Sequence, residues 1–77
     1  MDITAAQKRL SLSDRTIALW EQNGGPGGSV VDNLRMIREE TQILYAMAVE
    51  HPELAAEAQA TGRRYAEMAN RLRLGVH

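Results

Sequence analysis

The stretch Ile3-Thr4-Ala5-Ala6-Gln7-Lys8-Arg9-Leu10-Ser11-Leu12-Ser13-Asp14-Arg15-Thr16-Ile17-Ala18-Leu19-Trp20-Glu21-Gln22-Asn23-Gly24 decides how this chain folds. Two short helices broken at Ser11-Leu12-Ser13 fit it: Ile3, Ala6 and Leu10 give the first an inner stripe, and Leu12 occupies the turn. Ser13 caps the second helix, Ile17 and Trp20 anchor it, and Arg15, Thr16, Ala18, Leu19 and Gln22 face outward. This is the pattern of a helix-turn-helix, whose second helix enters the major groove of DNA. The competing expectation is an ordinary amphipathic helix or helix pair over residues 3–22, packed on the rest of the molecule. The backbone at Ser11 to Ser13 separates the two: a sharp turn favours DNA binding, one continuous helix favours an adaptor.

After this stretch comes Gly24-Gly25-Pro26-Gly27-Gly28, five residues that sustain neither helix nor strand. The run divides the chain into a helix-turn-helix-like segment (1–23), a Gly/Pro linker (24–28) and a helical hairpin (29–77), all within one small domain. A natural hinge, the remnant of a wing-like turn and a joint introduced between two peptides all fit the run. Beyond it, Ser29 followed by Asp32 has the form of a capping box, opening a helix to about Glu50. Val30, Leu34, Ile37, Leu44 and Ala48 form its seam, with Thr41 filling the gap.

His51-Pro52 ends that helix, and Pro52 suits the first position of the next, expected over about Pro52 to Leu74 with Gly75 as its stop. Leu54, Ala58, Thr61, Tyr65, Met68 and Leu72 repeat the seam. The two helices are expected to fold back as an antiparallel hairpin and to associate, with themselves or a partner, through Leu34, Ile37, Leu44, Tyr65, Met68 and Leu72.

Composition supports an all-α fold. The 77 residues include no Phe, one Trp and two Tyr, and the many Ala with Leu, Glu and Arg favour helix. So small a core gains from a partner or a second copy. With no cysteine there is neither a disulfide nor a thiolate metal site. No segment approaches a membrane span, which implies a soluble, cytoplasmic protein.

The run Lys8-Arg9-x-x-Leu12-Ser13-x-Arg15-Thr16-Ile17-x-x-Trp20-Glu21-x-x-Gly24 resembles the DNA-binding motif of MerR-type regulators and the winged helix-turn-helix at the start of small subunits of phage terminases. The resemblance covers the N-terminal third only. It implies that Ser13 caps the recognition helix, that Arg15 and Thr16 face DNA, and that Ile17 and Trp20 hold the helix in place. Lys8, Arg9, Ser13, Arg15, Thr16 and Gln22 are accordingly the DNA-binding residues. The pattern departs from the family at Gln7 and Ser11, and nothing beyond Gly28 resembles a basic wing. Residues 1–24 carry Lys8, Arg9 and Arg15 against Asp2, Asp14 and Glu21, a balance that leaves phosphate affinity to paired copies.

Other residues admit two readings. Arg63, Arg64, Arg71 and Arg73 suit a solvated helix face near a helix C-terminus, or a patch for nucleic acid or an acidic partner. Glu39, Glu40, Glu50, Glu53 and Glu57 gather near His51 as a solvated acidic end; Glu53 and Glu57 have metal-ligand spacing, but no Glu-x-x-His accompanies them, so no metal is expected. Met36, Met47, Met68, Tyr45 and Tyr65 read as core or as an adaptable protein-binding groove. Gly24 to Ser29 lacks the strand and lysine of a phosphate loop. No nucleophile has a base in reach, so neither enzyme chemistry nor a cofactor is expected. The sequence thus points to a small DNA-binding protein that self-associates through its C-terminal helices, with a non-enzymatic helical adaptor, chaperone or assembly module as the alternative.

Overall fold

The computed structural model describes residues 1–75, and the last two residues of the hairpin segment lie outside the described residues. Among the described residues the chain is all-α: α1 spans Ile3–Asn23, α2 Val30–Glu50 and α3 Ala55–Leu74, with a single 3₁₀ turn at Pro52–Leu54 before α3. The long axis, 36 Å, is close to the length of one helix, about 31 Å. No helix among these residues is long and apolar enough to cross a membrane.

The expected break at Ser11-Leu12-Ser13 is absent. α1 is one continuous helix of 21 residues, capped by Asp2, whose side chain accepts from the Ala5 N–H, and closed by Gly24 at φ 83°. The physical reason lies in phase: Ile3, Ala6, Leu10, Ser13, Ile17 and Trp20 follow alternating steps of three and four, so both half-stripes form one stripe if the helix runs through. Neither Ser11 nor Leu12 breaks a helix, and serine costs only a few tenths of a kcal/mol relative to better formers. Ser13 is therefore no cap. It is an inward-facing residue in mid-helix, 1% exposed.

α2 begins as expected, with Ser29 as N-cap accepting from the Asp32 N–H at 3.4 Å. Pro52 opens the 3₁₀ turn instead of α3 itself, so α3 starts at Ala55, later than the sequence implied; Gly75 closes it at φ 70°. α2 and α3 share the most extensive contact in the molecule. They run antiparallel: Leu34 and Ile37 lie by Ala69 and Arg73, while Leu44 lies by Ala58 and Gly62.

α1 lies across this pair, antiparallel to α2 and parallel to α3. Met1 donates to Glu50 and Arg9 to Glu40, which fixes the first direction. Tyr65 donates to the Ser13 carbonyl and Arg64 to Glu21, which fixes the second. Ala6, Leu10 and Ile17 of α1 enter the core with Ile37, Leu44 and Met47 of α2 and Tyr65, Met68 and Leu72 of α3. The residues expected as a self-association seam are consumed inside one chain: Ile37, Leu44, Tyr65, Met68 and Leu72 are all less than 5% exposed, and Leu34 packs against them. α1 packs over this seam within the chain.

Candidate interaction surface

A buried polar cluster forms where the sequence suggested a turn. The Ser13 hydroxyl and the Arg9 guanidinium both donate to the Glu40 carboxylate, and Arg9 also donates to Ser13 Oγ at 3.1 Å. Behind them the Tyr65 hydroxyl donates to the Ser13 carbonyl at 2.9 Å. Burial, followed by the nearby Glu40 charge, pushes the Tyr65 phenol up to about 12. The Trp20 ring meets Tyr65 edge-on, with centroids 5.7 Å apart and planes at 83°. Every buried side-chain polar atom among the described residues has a partner. Such a cluster holds α1 in one register, since a one-residue slip would take Glu40 and Tyr65 away from their partners in a part-buried site.

A second polar seam runs between α1 and α3. The Thr61 hydroxyl donates to Asp14, and Arg64 grips both oxygens of Glu21, at 2.6 and 3.2 Å. The Arg64 bond holds the Glu21 carboxyl below its ordinary range, while the hydrogen bond with Asp14 pushes Glu57 above it. The residues expected to bind DNA therefore separate into two groups. Arg9 and Ser13 are turned into the molecule and engaged with Glu40, and Thr16 lines the shallow cleft beside Trp20 and Met36. Lys8, Arg15 and Gln22 remain exposed, one above another at seven-residue spacing on the outer face of α1.

The acidic residues near His51 disperse in the same way. Glu50 and Glu53 flank the imidazole at 3.6 and 3.4 Å, Glu40 belongs to the cluster under α1, and Glu57 leans to Asp14. Among the described residues no group of three or more His, Cys, Asp or Glu side chains is placed to hold a metal ion. Of the methionine and tyrosine set, Met47, Met68 and Tyr65 are core, whereas Met36 and Tyr45 are exposed.

One open surface is the side of the α2–α3 pair facing away from α1; Leu12 and Leu19 on α1 and Met36 and Ile43 on α2 are exposed elsewhere. On α2 the positions 31, 35, 38, 42, 45 and 49 recur in heptad steps, and three of them are bare apolar side chains: Val31, Tyr45 and Val49, at 69, 71 and 71% exposure. Between α2 and α3 lies a continuous groove. One half has Arg35, Arg38 and Arg73 on its rims above Ile37 and Ala69; the other has Arg63 and Tyr45 above Leu44 and Gly62, and the halves join at Thr41 and Ala66. Sequence reasoning found Arg63 and Arg73 but missed Arg35 and Arg38. Those two lie on a different helix, and only the heptad phase of α2 could have paired them with α3.

Comparison with protein-family models, with curated proteins and with solved structures returned no match.

Proposed function

We propose that this chain is a non-enzymatic helical interaction module, an adaptor or assembly subunit whose α2–α3 hairpin is a scaffold for another protein. The observation that carries the proposal is the heptad row Val31, Tyr45 and Val49, left bare on the face of α2 that no helix of this chain covers. Large apolar side chains at regular helical spacing on an open face are a recognised signature of protein contact. The unbroken α1 supports the same conclusion, because it lacks the turn that sets a recognition helix at an angle to the helix before it. Arg9 and Ser13 are engaged with Glu40, and Asp14 adjoins the exposed Arg15, which leaves α1 with little net attraction for phosphate.

Site-specific photocrosslinking in the native cell tests the module against the DNA-binding alternative. A photoreactive side chain in place of Tyr45 is expected to give a discrete protein adduct. The same group in place of Lys8 is expected to give neither a protein nor a DNA adduct. Adducts to DNA from position 8, or duplex binding at tens of micromolar in low salt that Arg15→Ala abolishes, would overturn the module in favour of a regulator.

A further inference from the structure

The groove between α2 and α3 carries a stronger statement about what fits it. Its rims hold Arg35, Arg38, Arg63 and Arg73, and no carboxylate lines either half. Arg35 is partly neutralised by Asp32 at 3.0 Å, whereas Arg38 and Arg63 have no ion-pair partner among the described residues. The chain as a whole has a net charge of −1, so this cationic strip stands against the overall balance. The floor is small and mostly apolar: Ala66, Ala69, Gly62 and Thr41 leave room for a backbone to approach closely, with Gln59 and Asn70 as uncharged polar neighbours. From Leu34 to Tyr45 on α2 the groove runs about 17 Å, the length of three helical turns.

We infer that the α2–α3 groove is the docking site for an acidic amphipathic helix of a partner protein, which lies along it as a fourth helix of the bundle. The inference deepens the interaction-module reading and rests on it. An apolar stripe on the incoming helix covers the Ala66–Ala69 floor, and glutamates or aspartates on its two edges meet Arg38 on one rim and Arg63 and Arg73 on the other. Small residues on the floor and charges on the rims are the division of labour of a helix-in-groove contact, the apolar floor supplying affinity and the flanking charges orientation and encounter rate. A nucleic-acid backbone would use only the arginines and gain nothing from the floor. Asp14, Glu21 and Glu40 are already engaged between helices of this chain.

The test uses the full chain and a fluorescein-labelled designed peptide of about 18 residues, with Leu and Ala on one face and Glu on the flanks. Controls are the same peptide with Lys for Glu, polyglutamate of equal length, and a short DNA duplex. The Glu peptide is expected to bind at tens of micromolar in low salt, with the Lys peptide and polyglutamate at least about tenfold weaker. Arg38→Glu and Arg63→Glu are each expected to weaken the Glu peptide about fivefold or more with thermal stability unchanged, while Lys8→Glu leaves binding intact. Absence of binding by the Glu peptide below millimolar, or equal binding of the Lys peptide, overturns the inference. So does tighter binding of the duplex lost in the same two variants, which would make the groove a phosphate site. A concentration-dependent dimer dispersed by Arg38→Glu would give the groove to a second copy and overturn it equally. A protein adduct at position 45 without peptide binding would reject the acidic helix alone and leave the module standing. Peptide binding without any adduct would reject the module and keep the chemistry of the groove.

Discussion

The two seams of this small bundle are built from different materials. Between α2 and α3 the contact is made by Leu, Met and Ala side chains in heptad phase, whereas α1 meets its neighbours through Ser13, Thr61, Asp14, Glu21 and Arg9 as much as through Leu10 and Ile17. Apolar burial is non-directional and supplies most of the stability; hydrogen-bonded polar groups add less net energy but tolerate only one arrangement. The α2–α3 seam therefore holds the fold together, and the α1 seams decide where α1 sits. An N-terminal helix with a balanced charge and a modest apolar stripe needs that second kind of contact, because hydrophobicity alone would let it slide.

The contrast can be broken most severely at its apolar side. Leu44→Ala, at a site 1% exposed, is expected to cost about 2 to 5 kcal/mol in urea unfolding, enough to unfold a chain of this size. A loss under about 1 kcal/mol would mean that the α2–α3 seam is not the main store of stability. Ser11→Pro addresses the continuity of α1. In a turn it would be tolerated, whereas in mid-helix it removes a backbone hydrogen bond and should cost about 3 kcal/mol, with a matching fall in helical circular dichroism.

The polar seams predict smaller effects. Tyr65→Phe keeps the ring against Trp20 and loses only the bond to Ser13, for about 1 to 2 kcal/mol. The same substitution should alter the alkaline limb. The Tyr65 phenol titrates higher in the folded chain than in the unfolded one, so its contribution is complete below pH 10 and disappears as pH rises from 10 towards about 12. The variant should lack that loss, and an unchanged alkaline midpoint would show that the buried hydroxyl does not matter. Smallest is Glu21→Gln. Its folded carboxyl is held low by Arg64, so the stabilisation is present above the unfolded value of 4.5 and is lost as pH falls through the folded one. Both side chains are about one-third exposed, so under about 1 kcal/mol is expected, seen as a shallower acid limb.

The same difference in materials explains what the sequence made legible. Ser29 with Asp32, His51-Pro52, Gly75 and the two C-terminal seams act through neighbours in the chain or through helical phase, and both can be read from residue order. Ser13 looked like a helix cap and Thr61 like one more seam position because their partners, Glu40 and Asp14, come from other helices. No local rule connects residues 27 or 47 positions apart. The one signal within reach was that 3, 6, 10, 13, 17 and 20 lie in a single phase, which favours a straight rod over a bend. The groove was half visible: its α3 arginines stood out as a basic run, and its α2 arginines were hidden among acidic neighbours.

The side-chain amide of Asn33, 5% exposed in the first turn of α2, donates to the carbonyl of Gly27 at 3.0 Å. The glycine-rich corner is thereby pinned from inside the helix it leads into. What looks in sequence like a slack tether acts as a clasp, and the distance it spans is part of the architecture. Extra residues inserted there would have to form a loop outside the fastening, leaving the angle between the first two rods as it was; freeing Asn33 would turn the corner back into string.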